Sequence, residues 1–185
     1  MSSTVILIKK YWAEFPPLLR NFLIKALLLI LIWKLSYNLY LMPHGTIDKP
    51  LTAITAATTV GFLSLFYEKQ ELSWNNSKDY SASISLDGKP VIGITTGCNA
   101  LELFILYVGF IICMPSNFKR MAIFIILGTI GIFILNFLRC SGMFWLQLHN
   151  KEWFDWAHTY IFKAIVYAAI FGTWVWYCRK INNNE

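Results

Sequence analysis

Four apolar stretches, each bounded by short basic or polar turns, leave this chain few ways to fold. A helix needs about 20 apolar residues to cross a hydrocarbon core near 30 Å thick. Phe22 to Met42, Asn99 to Met114, Met121 to Leu138 and Thr159 to Cys178 meet or approach that requirement. The composition agrees: 57% of the 185 residues are hydrophobic and 14% are charged, whereas a soluble domain carries about 25% charged residues. An all-α polytopic membrane protein with a single membrane-embedded domain is therefore expected, with about four spans. The net charge of +6 comes from Lys and Arg spread among short loops and helix ends, as topology signals are. That pattern argues against nucleic acid as a partner and leaves the lipid bilayer. Phe22 to Met42 is too long for a secretory signal and lacks a small-residue cleavage site, so it is expected to stay as an anchor.

The stretches between the spans carry their own signals. In residues 1–21, Lys9, Lys10 and Arg20 alternate with Ile6, Leu7, Tyr11, Trp12 and Phe15, which predicts an amphipathic interfacial helix stopped at Pro16 and Pro17. Leu51 to Tyr67 is apolar but short and rich in threonine, and reads as an external or half-inserted helix. Residues 82–95 alternate apolar and polar positions around Asp87-Gly88, a two-residue hairpin signal that predicts a small extracytoplasmic β-hairpin. Pro90 cannot donate to a ladder and favours an edge position after that turn.

Lys119 and Arg120 lie between the second and third long stretches, and Arg179 and Lys180 follow the last. The positive-inside rule puts both clusters in the cytoplasm, together with the basic amino terminus. An even number of crossings follows, with Cys98, Arg139 and His158 all at the opposite face. Lys34 lies inside the first span and must snorkel, face the bundle or find a partner.

That shared face matters because a thiolate is favoured by a helix amino terminus, a positive charge or a neighbouring imidazole. Cys98 immediately precedes a predicted helix, His158 opens another, and Arg139 closes the one between. In this reading Cys98 is the nucleophile, His158 shuttles the proton, and Arg139 stabilises the oxyanion or thiolate or grips a carboxylate. Singly, each residue has a plainer role: a buried small hydrophobe, a snorkelling cation, a helix cap. Cys140 adjoins Arg139 and is a rival nucleophile, although it is expected beyond the end of its helix, where the dipole disfavours a thiolate. Glu102, one turn from Cys98, could pair with Arg139 or Lys34 or help orient the site; pairing is the favoured role. Asp155 is a candidate orienter for His158. Cys113 and Cys178 read as packing residues, and the four cysteines lack a CxxC pair, so no disulfide framework is expected, although a Cys98–Cys140 bond stays open. His44 reads as structural, and His149 as exposed in an aromatic interfacial loop between Ser141 and Ala157. The histidines have no ligand-like spacing, so neither a metal nor another cofactor is expected. Gly128 and Gly131 inside a span read as close helix packing.

The order Cys98, then Asn136-Phe137-Leu138-Arg139, then His158, each at a membrane-helix end, resembles the exosortase and archaeosortase family over roughly Thr95 to Tyr177. The small size and the Gly97-Cys98-Asn99-Ala100 context are most similar to its short F-type branch. The resemblance implies a membrane cysteine transpeptidase that recognises a carboxy-terminal transmembrane sorting signal on secreted proteins, with Cys98 as nucleophile, His158 as proton shuttle, Arg139 as charge stabiliser and Asn136 in support. An auxiliary membrane protein is left open as a further partner. The commoner family pattern has glycine two residues after the cysteine, where this chain has Ala100. Two alternatives stand beside transfer: a membrane cysteine protease in which water resolves the thioester, and a non-enzymatic envelope-assembly subunit.

Overall fold

A computed structural model describes residues 16–75, 81–114 and 116–182. The amphipathic opening expected over residues 1–21 lies largely outside these. Helix α1 (Pro17–Ser36) begins where the sequence placed its break: Pro17 occupies the first turn, where a missing N–H costs nothing. It runs on through a π-helical turn, Tyr37–Leu41, to Met42–His44, and ends at Gly45 in the left-handed region. Helix α2 (Asp48–Leu63) follows, then strands β1 (Gln70–Asn75), β2 (Ser81–Leu86) and β3 (Lys89–Thr95) and a 3-10 turn, Thr96–Cys98. Helices α3 (Leu101–Cys113) and α4 (Phe118–His149) come next. The last helical stretch is α5 (Lys151–Trp156), a π-helical turn over Ala157–Ile161, and α6 (Phe162–Asn182).

Among the described residues three helical stretches are long and apolar enough to cross a membrane: Leu19–His44, Phe118–His149 and Lys151–Ile181. The remaining expected span, Asn99 to Met114, is the shorter helix α3 of 13 residues, about 20 Å long. Two apolar cores are stacked along the molecule. The first lies among the membrane helices and joins Tyr107 and Ile111 of α3, Phe124 and Ile132 of α4, and Val166 and Ile170 of α6. The second joins Ala56 and Leu63 of α2, Ile84, Ile92 and Ile94 of the sheet, and Cys140 and Phe144 of α4. The chain passes from one core to the other at Cys98 to Ala100: Cys98 packs on the second, and Ala100 belongs to the first.

Helix α2 explains why Leu51 to Tyr67 looked apolar yet too polar to span. Asp48, Thr52, Thr55, Ala56, Thr59 and Leu63 are its buried residues, one stripe at helical spacing on a helix that packs against the sheet and α4. The sheet is antiparallel in the order β1-β2-β3. Asp87 and Gly88 both take positive φ, 50° and 75°, as a two-residue hairpin turn requires. Pro90 lies on the edge strand opposite Ser85, beside a register shift that skips Val91, which spares the ladder a missing donor. Strand β1 adds a third strand to the expected hairpin; its Leu72 packs on the second core.

The long helices also correct three placements. Helix α4 does not stop at Leu138 but continues to His149, so Arg139 and Cys140 lie inside it and not at or beyond its end. The loop expected between Ser141 and Ala157 is helical except at Asn150. His158 does not open a helix; it sits on the π-helical turn within one. Phe118 to Arg139 rises about 30 Å, one hydrocarbon-core thickness. His158 to Arg179 rises by the same amount. Gly142 would have signalled a helix end, but a Cβ there would meet the Phe162 ring at 2.9 Å, so it serves the close approach of α4 and α6.

Gly128 and Gly131 differ in kind. A Cβ at Gly128 would run into the ring of Tyr107, which is buried and donates its hydroxyl to the Phe124 carbonyl at 2.8 Å. At Gly131 nothing lies within 4 Å. Gly128→Ala should lower stability by about 1–3 kcal/mol through overpacking, whereas Gly131→Ala should be neutral or stabilise by up to about 1 kcal/mol. Thermal unfolding of both variants in detergent checks the pair.

Candidate active site

Cys98 closes the 3-10 turn that links the edge strand β3 to the start of α3. Its thiol is half-buried, and Thr95 Oγ1 donates to it at 3.9 Å. Two buried amides fix its backbone. Asn136 of α4 is fully buried and donates from Nδ2 to the Cys98 carbonyl at 2.9 Å. Asn99 donates to Asp48 Oδ1 at 2.9 Å and to Thr52 Oγ1 at 3.4 Å, while its own Oδ1 accepts the Leu101 N–H at 3.0 Å. Tyr37 donates to the other Asp48 oxygen at 3.1 Å. Asp48 is buried, and a buried carboxylate is tolerable only with such partners. The tight connection leaves Ala100 at φ 63°, in the left-handed region that glycine enters without strain. This gives a physical reason for glycine two residues after the cysteine in the commoner pattern.

Arg139 lies one turn beyond Asn136 on α4 and lines a polar cleft of about 480 Å³ beside the turn, together with Gly97, Asn99, Tyr37 and Lys163. The charged groups that act on His158 are Arg139, Lys163 and Asp155. The ring stacks on Phe154 at 6.2 Å, and Phe154 packs on the core that Cys98 borders. Among the described residues no hydrogen bond joins the Cys98 thiol to His158. The structure thus ties Asn136 to the Cys98 backbone and places Arg139 in a cleft lined by Gly97 and Asn99, the neighbours of Cys98; Cys98 and His158 are not among the residues that line that cleft. Glu102 pairs with Lys34 at 4.0 Å on the outside of the bundle, both side chains more than half exposed, so the lysine inside the first span finds a partner on α3. No local sequence signal marks Asp48 and Tyr37, because their part depends on Asn99, distant in the chain.

The rival residues are placed less favourably. Cys140 is 5% exposed within the second core, beside Thr59, where a peptide cannot reach it. His149 ends α4 exposed, stacked on Trp145 with its Nδ1 at 3.0 Å from the Trp145 carbonyl. His44 contacts the Tyr40 carbonyl in the same way at 2.7 Å. Among the described residues no three His, Cys, Asp or Glu side chains converge as a metal site needs.

Asn136 offers a direct test of backbone positioning. Its Oδ1 has no partner among the described residues, so Asn136→Leu removes an unsatisfied acceptor along with the tether on the Cys98 carbonyl. Unfolding stability should change by less than about 1.5 kcal/mol, while turnover should fall by about 100-fold as the thiol loses its aim. Parallel thermal melts and activity assays separate the two effects.

No curated protein and no solved structure matches the chain. A family model described as transmembrane exosortase matches residues 9–175, a stretch that contains the turn at Cys98, the Asn136 to Arg139 segment and His158. The chain belongs to the transmembrane exosortase family.

Proposed function

We propose that the protein is a membrane cysteine transpeptidase that cleaves a carboxy-terminal sorting signal from secreted proteins through a thioester on Cys98. The observation that carries this reading is the anchoring of Cys98: a partly accessible thiol at the start of a membrane helix, its carbonyl held by Asn136 and the next residue held by Asp48. The short chain and the Gly97-Cys98-Asn99-Ala100 context support the F-type branch of the family. Helix α3 with its flanking turns serves as a fourth crossing, and the site faces outward from the cytoplasmic membrane, since the basic residues Lys119, Arg120, Arg179 and Lys180 lie about one core thickness away.

The substrate's terminal membrane helix docks beside the bundle and brings its scissile peptide to the cleft at Arg139. As the substrate closes the site, His158 takes the Cys98 proton. The thiolate attacks the carbonyl carbon, and Arg139 stabilises the resulting oxyanion. Collapse breaks the C–N bond, the departing amine takes the proton from His158, and the acyl group remains on sulfur. An acceptor amine or hydroxyl then attacks the thioester, passes its proton to His158, and restores the thiol as the new bond forms. The π-helical turn under His158 fits this role, since such turns recur at functional positions in helices.

Intact mass analysis of a secreted protein with a carboxy-terminal membrane helix, coexpressed with each variant, tests the proposal. Cys98→Ser should abolish processing, His158→Ala should slow it by about 10²–10⁴-fold, and Cys140→Ala should leave it in place. Added mass on the new carboxy terminus identifies transfer, and a free carboxylate identifies hydrolysis. Normal processing by Cys98→Ser would remove the nucleophile from the mechanism and leave the envelope-assembly reading.

A further inference from the structure

A second cavity, of about 600 Å³, lies between α4 and α6, with its basic end at Lys119, Arg120 and Lys180 and its apolar lining reaching Leu135. This is within the range of ordinary ligand pockets, about 300–1,000 Å³. Its mouth carries Lys119, Arg120 and Lys180, and its walls include Gly131, Ile132 and Leu135. The mouth is braced: Arg120 Nη1 donates to the Lys180 carbonyl at 2.8 Å and ties the start of α4 to the end of α6.

The interior makes no polar demand of an occupant. The Tyr107 hydroxyl is committed to the Phe124 carbonyl at 2.8 Å, and Thr173 Oγ1 donates to the Ala169 carbonyl at 2.8 Å. Along α4 the lining runs from Asn117 to Leu135, about 27 Å, and Gly131 leaves the wall open where a side chain would stand. A matching occupant is negatively charged at one end and apolar along a length comparable to an acyl chain. Water would meet apolar walls, and a soluble anion would fill only the mouth.

We propose that this cavity binds one anionic phospholipid, its phosphate at Lys119, Arg120 and Lys180 and one acyl chain against the Gly131 face of α4. Basic pockets between membrane helices are suited to such headgroups. The test of this site needs no turnover.

The test uses the full-length protein, purified and delipidated in a mild detergent, and titrated with phosphatidylglycerol, phosphatidylcholine of the same chains, or glycerol 3-phosphate. Native mass spectrometry counts bound lipid, and thermal unfolding reads the stabilisation. Phosphatidylglycerol should be retained at one molecule per chain and raise the melting temperature, while the other two should do neither. Lys119→Gln should weaken retention by about fivefold to tenfold, the worth of one basic residue near an anionic surface. Gly131→Leu, which extends a side chain from a position where an added Cβ has nothing within 4 Å, should weaken it at least as much without lowering the lipid-free melting temperature. Equal retention of phosphatidylcholine, an equal shift with glycerol 3-phosphate, or wild-type retention by both variants would each overturn the proposal.

Discussion

The hydrogen bonds between Asn99 and Asp48 hold together parts of the chain that have no other reason to meet. Asp48 opens α2, Tyr37 comes from the π-helical turn that extends α1, Thr52 is one turn into α2, and Asn99 directly follows Cys98. These groups are polar and close to fully buried, apart from Tyr37. In so dry a setting an unsatisfied carboxylate or amide would cost several kcal/mol, so the partners must all arrive or the arrangement fails. The same Asn99 uses its carbonyl oxygen to cap the first turn of α3. One side chain thereby fixes the direction of the helix beginning beside the thiol and the position of the helix that covers the sheet.

The location of this network at the junction of two apolar cores explains how a small chain holds a thiol still at a membrane boundary. The lower core can slide against lipid without losing burial, because hydrocarbon is a non-directional solvent. Directional hydrogen bonds are what set register. Asn136 supplies the second such bond from α4, one turn before Arg139. The thiol therefore sits between two fixed carbonyl and amide contacts, while its own sulfur has only the weak donor Thr95. The backbone is held firmly, and the sulfur is left available.

Much of this was legible from sequence where a local signal carries its own physics. The Asp87-Gly88 turn, the edge position of Pro90 and the need of Lys34 for a partner each followed from one residue type in one setting. Helix ends near the interface were not legible, because leaving the bilayer does not require leaving the helix. Cys140-Ser141-Gly142 reads as a stop, yet α4 continues because Gly142 answers to Phe162 across the interface. His158 is displaced from a helix start to a helix interior for the same reason: Lys151–Trp156 already form the first turns. Strand β1 has an alternating Leu72 and Trp74, but its charged flanks hid the pattern until β2 paired with it. The partners of Asn99 belong to long-range folding, which no local window contains.

The unbroken course of α4 has a mechanical consequence. From Phe118 to His149 it is a single helix, so the ends cannot move independently. Helix α4 acts as a lever: with about 30 Å between the braced mouth at Arg120 and the guanidinium-bearing turn at Arg139, a tilt of about five degrees at one end displaces the other by about 2.6 Å. That distance separates a formed hydrogen bond from a broken one. Membrane thickness and lateral pressure act on the tilt of any spanning helix. In this molecule they act on the aim of the site.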